Sequence, residues 1–187
     1  GNYNAAVGSC ALYANTTGHS NTASGFYSLA NNSTGCKNTA VGAWSLGKNT
    51  TGCSNTASGY TALWENTTGT QNASFGQKAL CKNTTGSSNT ASGYMALTTN
   101  TTASHNTAIG TCTLYANTTG SHNSAFGGYA LKANTCGICN TSVGYASMFT
   151  SSTGSCNAVF GHAAAYQNTT GASNTASGFK ALFSNTT

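Results

Sequence analysis

The sequence predicts an all-β fold: a β-solenoid, or parallel β-roll, of eleven 17-residue coils with two short strands per coil. Three observations predict it. The 187 residues divide into eleven copies of 17 with no insertion or deletion. Glycine recurs at every seventeenth residue from Gly8 to Gly178, and a second series from Gly1 to Gly171 breaks only at Ala103. Charged residues are 4% of the chain and proline is absent, so the polar surface must be built from Asn, Thr and Ser. Ordinary globular domains are about 25% charged, and a helical bundle needs Glu, Lys, Leu and Ala in quantity.

The consensus is Gly-x-x-Asn-Thr-Ala-[Ser/Val/Phe/Ile]-Gly-x-x-Ala-Leu-x-x-Asn-Thr-Thr, clearest in Gly86–Thr102. A fixed period implies stacked coils, because a stacked coil cannot absorb an extra residue without losing register. The period is too short for a helix pair, which needs about 33 residues. Thr, Val, Phe and Tyr suit strands, and the recurring Gly and Asn-Thr-Thr segments suit turns. Positions 3–7 of the repeat therefore read as the first strand. Gly at position 8 turns the chain, positions 9–13 read as the second strand, and positions 14–17 close the coil. Stacking at about 4.8 Å per coil makes a rod roughly 50 Å long. Residues 1–187 read as a single solenoid. Neither end carries the atypical polar cap that solenoids need, so the expectation is a segment of a longer array or a unit stacking end to end.

Each column has a physical reading. Leu fills position 12 in nine copies, with Met148 and an alanine of the Ala163–Ala165 run as substitutes, and forms the expected apolar ladder. Small residues at positions 6 and 11 imply a narrow interior. Positions 7 and 9 compensate: Ser24, Ser58, Ser92 and Ser177 are followed at position 9 by Phe26, Tyr60, Tyr94 and Phe179. One space is kept filled by one large apolar group, either at the edge of the core or against another chain.

Asn fills position 4 in all eleven copies: Asn4, Asn21, Asn38, Asn55, Asn72, Asn89, Asn106, Asn123, Asn140, Asn157 and Asn174. An amide at a recurring turn can bond the backbone and the same amide one coil away, so this column reads as an Asn ladder. At position 15, Asn15, Asn49, Asn66, Asn83, Asn100, Asn117, Asn168 and Asn185 begin Asn-Thr-Thr, and Asn32 begins Asn-Ser-Thr. These match the N-glycosylation acceptor pattern, as do Asn31, Asn72 and Asn140. Two readings compete: covalent glycans on some coils, or a second Asn ladder with Thr as turn residues. Crowding favours the ladder, since sugars on every coil would lie only about 4.8 Å apart.

Cys36 and Cys53 share position 2 of neighbouring coils, and Cys139 and Cys156 share position 3. Stacked residues fall within disulfide range, so two vertical disulfides and an oxidising, extracellular setting are expected. Cys136–Cys139 is a competing pair. His105, His122, Cys139 and Cys156 run in one line, which cannot surround a single tetrahedral ion; no metal and no cofactor is expected. Trp44, Trp64, Tyr13, Tyr115 and Tyr166 either cover the sheet face or stack on sugar. Catalysis is not expected, because the chain has one carboxylate side chain, Glu65, and four histidines. The six lysines are scattered, which argues against a nucleic-acid partner. The absence of a run of about 18 apolar residues argues against a membrane partner.

The string Asn55–Gly69, NTASGYTALWENTTG, and its siblings resemble NTAxGxxALxxNTTG repeats of surface and fibre proteins. These are similar to the parallel β-roll heads of trimeric autotransporter adhesins and to phage or viral tail-fibre shafts. The resemblance covers the whole chain. It implies a parallel β-roll, often trimeric, on a cell or virion surface. The expected function is thus a non-catalytic structural protein: a rigid extracellular fibre, glycan-decorated, whose partner is itself, end to end or laterally. The alternatives are an adhesin or tail-fibre head that binds host glycans or protein, and an ice-binding solenoid that orders water on repeated Thr. The adjacent Thr at positions 16 and 17 fit a flat ice-binding array poorly.

Overall fold

A computed structural model covering Gly1–Thr187 shows an all-β parallel solenoid without helices. Its strands are β1 (Ala5–Val7), β2 (Thr22–Ser24), β3 (Thr39–Val41), β4 (Thr56–Ser58), β5 (Ala73–Phe75), β6 (Thr90–Ser92), β7 (Thr107–Ile109), β8 (Ser124–Phe126), β9 (Thr141–Val143), β10 (Ala158–Phe160) and β11 (Thr175–Ser177). They form one eleven-stranded sheet in sequence order. Each residue pairs with the one 17 positions on, as Ala40 does with Ala57. The repeat is therefore the coil.

Each coil has one strand, at positions 5–7, where two were expected. The stretch over positions 9–13 is not extended. Its positions 10 and 12 adopt left-handed conformations in every coil, for example Tyr27 at φ +54° and Leu29 at φ +48°. Position 3 does the same, so the first strand is also shorter than expected. These turns still pair from coil to coil: Tyr27 N–H donates back to Ser9 O at 3.0 Å, and Leu29 N–H donates forward to Ser45 O at 3.0 Å. Of 126 backbone–backbone hydrogen bonds only 20 lie within strands. The turns therefore carry most of the stacking.

Position 8 requires glycine. Gly25 sits at φ +139°, and a Cβ there would lie 2.6 Å from the next coil's Gly42 O. The two glycines outside the columns lie under aromatic rings. A Cβ on Gly47 would meet Trp64 at 3.0 Å, and one on Gly128 would meet Tyr145 at 3.6 Å.

The interior is narrow, as the small residues implied. Strand position 6 (Ala23, Ala40, Ala57), position 11 (Ala62, Ala79, Ala96) and the Leu column pack into one continuous buried cluster. Leu29 through Leu131 and Met148 are wholly buried. Hydroxyls among them are satisfied locally: Ser74 Oγ donates to Ala79 O at 2.8 Å and Thr113 Oγ1 to Gly127 O at 2.7 Å.

Candidate functional site: the columns of the rod

The position-4 asparagines form the ladder read from the sequence. Asn38 N–H donates to Asn21 Oδ1 at 2.9 Å, and Asn38 Nδ2 donates to Gly52 O at 2.8 Å. The bonding repeats along the rod, for example at Asn55, Asn89 and Asn123. Asn72 and Asn140, two of the acceptor matches, are buried members of this ladder.

Position 15 is a second ladder. Asn66 Nδ2 donates both to Asn49 Oδ1 at 2.7 Å and to Gly69 O at 3.0 Å. Asn32, Asn49, Asn66, Asn83, Asn100, Asn117 and Asn168 are wholly buried, and Asn15 and Asn185 on the end coils are half-buried. A glycan would replace a hydrogen on Nδ2 and would need to emerge from a closed interior. The folded coil has no room for one at the buried members, which corrects the expectation of sugars in this column. Among the acceptor matches only Asn31 is exposed.

Position 16 makes a third ladder. Its hydroxyl donates to the next coil's position-16 carbonyl, as Thr67 Oγ1 does to Thr84 O at 3.0 Å. These hydroxyls are committed to the backbone, and the neighbouring position-17 threonines form the exposed column of the pair.

All eight cysteines are free thiols. Cys36 and Cys53 are stacked, with Cys36 N–H donating to Cys53 Sγ at 3.1 Å, and their thiols donate to Thr34 O and Thr51 O. The Cys139–Cys156 pair is likewise unbridged. The expected disulfides are therefore absent, and the cysteines no longer carry an argument for an oxidising compartment. Burial pushes the Cys81 thiol pKa up; the Thr61 hydroxyl opposes this and the Glu65 carboxylate adds to it. His105 and His122 stack with ring centroids 4.9 Å apart. No group of three or more His, Cys, Asp or Glu side chains is gathered that could hold a metal.

The compensating positions 7 and 9 lie outside the core. One large apolar side chain per coil is exposed there: Val7, Phe26, Val41, Tyr60, Phe75, Tyr94, Ile109, Phe126, Tyr145, Phe160 and Phe179. Between the end coils each is 38–54% exposed. The result is an unbroken apolar seam along the rod.

Of the other aromatics, Tyr166 stacks between Phe149 at 5.0 Å and Phe183 at 5.2 Å. Trp44 stacks on Tyr27 at 4.6 Å. Tyr13 is exposed on the first coil, and Tyr115 is half-buried. Sequence reasoning missed the left-handed positions and the role of Gly47, whose only signal was a glycine out of step with both series. No helix is long and apolar enough to cross a membrane. No protein-family model, curated protein or solved structure matches the chain.

Proposed function

We propose that this chain is a non-catalytic structural segment of a rigid extracellular fibre, at a cell or virion surface, that assembles laterally with copies of itself. The observation that carries this reading is the apolar seam. An aromatic side chain presents about 200 Å², so eleven half-exposed groups amount to roughly 900 Å². That exceeds the patch usual on a monomer, about 300–600 Å², and matches the roughly 800 Å² each partner contributes to a standard interface. A second copy supplies an apolar group at the same rise per coil, so the two seams stay in step along the whole rod.

The rest of the surface supports a passive role. The one carboxylate side chain, Glu65, is paired with Lys48 at 3.5 Å. The one histidine–hydroxyl contact joins neighbours His19 and Ser20 at 3.3 Å, with no carboxylate to orient the ring.

Sedimentation and negative-stain microscopy test the proposal. The expected result is rods associated side by side, and their dissociation when Phe75→Ser and Tyr94→Ser are combined while the circular dichroism is retained. A wild-type chain that sediments as an 18.7 kDa monomer at micromolar concentration contradicts it.

A further inference from the structure

Position 2 of the repeat carries a hydroxyl ladder over much of the rod. Ser87 Oγ accepts from Thr70 N–H at 3.0 Å, and Ser104 Oγ accepts from Ser87 N–H at 2.9 Å. In the third and fourth coils the same column holds Cys36 and Cys53 instead. Cys53 Sγ takes over the acceptor role, with Cys36 N–H donating to it at 3.1 Å. A serine would serve that bond as well, so the ladder alone does not call for sulfur.

The two thiols are held alike. Cys36 Sγ donates to Thr34 O at 3.2 Å and Cys53 Sγ donates to Thr51 O at 3.4 Å, in each case two residues back. The sulfurs are therefore related by one coil step, about 4.8 Å. A disulfide needs them about 2 Å apart, so both would have to leave these orientations. A metal–thiolate bond is about 2.3 Å, so a linear sulfur–metal–sulfur unit spans about 4.6 Å. Such an ion fits between the sulfurs as they stand.

We infer that Cys36 and Cys53 form a binding site for one Cu(I) ion held linearly between the two sulfurs. The donor set selects the ion. Both ligands are soft, which suits Cu(I) and excludes Mg²⁺ and Ca²⁺. No third His, Cys, Asp or Glu joins them, whereas a structural zinc site needs four ligands. His19 stands in this column one coil earlier, but its Nδ1 lies against Ser20 Oγ at 3.3 Å. Cu(I), a d10 ion, is satisfied by two thiolates in line. Binding replaces two S–H bonds with two S–Cu bonds, and both protons pass to solvent. The carbonyls released belong to the exposed Thr34 and Thr51 and turn to water. The Cys36 N–H keeps its bond to Cys53 sulfur, a type of contact that tunes metal–thiolate centres. Both cysteines are half-buried, and position 2 takes no part in the apolar seam, so lateral assembly and ion binding are separable.

The probe is Cu(I), supplied without oxygen as its acetonitrile complex to the fully reduced chain and titrated against the chelator bicinchoninate. Wild type is expected to retain one more ion than Cys53→Ser, and X-ray absorption at one equivalent should show two sulfur ligands and no third. Serine is native to this column at Ser87, Ser104 and Ser121, so the variant keeps the ladder, and its circular dichroism should be unaltered. Joining two ligands on one scaffold strengthens binding by about 10²–10⁴-fold, so Cys53→Ser and Cys36→Ser should each weaken retention at this site at least about a hundredfold. Excess Zn²⁺ should not displace the ion. Equal retention by wild type and Cys53→Ser, displacement by Zn²⁺, or a three- or four-coordinate spectrum overturns the proposal.

Discussion

Positions 3, 10 and 12 place non-glycine side chains in left-handed backbone in every coil. This costs about 1–2 kcal/mol per residue, and the coil-to-coil hydrogen bonds on both sides of each turn offset it. The conformation explains why position 12 carries Leu, Met or Ala and never Val, Ile or Thr. Leu80→Val should therefore cost about 2–3 kcal/mol, combining a lost methylene with a β-branched residue at positive φ. Leu80→Met should cost less than about 1.5 kcal/mol; denaturant titration of the two variants checks the order. Lys37 is exposed at φ +58° and its side chain has no partner. Lys37→Asn should raise stability by about 0.5 kcal/mol, since Asn enters this region at lower cost. None of this was legible beforehand. Tyr, Lys, Leu and Cys carry no left-handed signature, and a run such as Tyr60–Trp64 reads as a strand by composition.

The ladders are the elements that hold the coils together, and one of them contains a natural defect. Ser151 stands where the other coils have Asn, and both Ser151 Oγ and Asn134 Oδ1 are buried without partners. Ser151→Asn should restore the bonds to Asn134 Oδ1 and Gly154 O and stabilise the rod by about 1–2 kcal/mol. The converse change, Asn83→Ala, orphans Asn66 Oδ1, which now accepts from Asn83 Nδ2 at 2.9 Å. It should cost about 2–3 kcal/mol. Unfolding midpoints measured side by side would show the opposite signs. The thiols are graded in the same framework. Exposed Cys136, Cys139 and Cys156 should alkylate at mildly alkaline pH well before Cys81, whose thiolate is disfavoured by burial. Peptide mass mapping of a time course reads that order. The position-4 ladder was legible because Asn stands there in every copy, while only Asn72 and Asn140 match an acceptor pattern. The position-15 ladder was obscured, because Asn-Thr-Thr satisfies two demands equally well: a modification signal, and an Asn–Thr pair of backbone-bonding columns. Only burial separates them.

The molecule as a whole is one register repeated. The architecture was legible from the spacing of Gly8 to Gly178 alone, because an invariant 17-residue interval allows only a stacked coil. The packing of Trp64 over Gly47 was not, because it joins two coils and its one signal is a glycine out of step with both series. Register also predicts tolerance to insertion. A duplicate of Gly86–Thr102 placed after Thr102 should be accepted with an unchanged or higher melting temperature, since each added repeat contributes another interface. One extra residue at the same place should break the ladders on both sides and lower it. The most direct test of the central claim is X-ray diffraction from aligned rods. Coils stacked one per 17 residues predict a meridional reflection near 4.8 Å. Its absence, or replacement by the 5.4 Å pitch of a helical rod, would contradict the stacked-coil account.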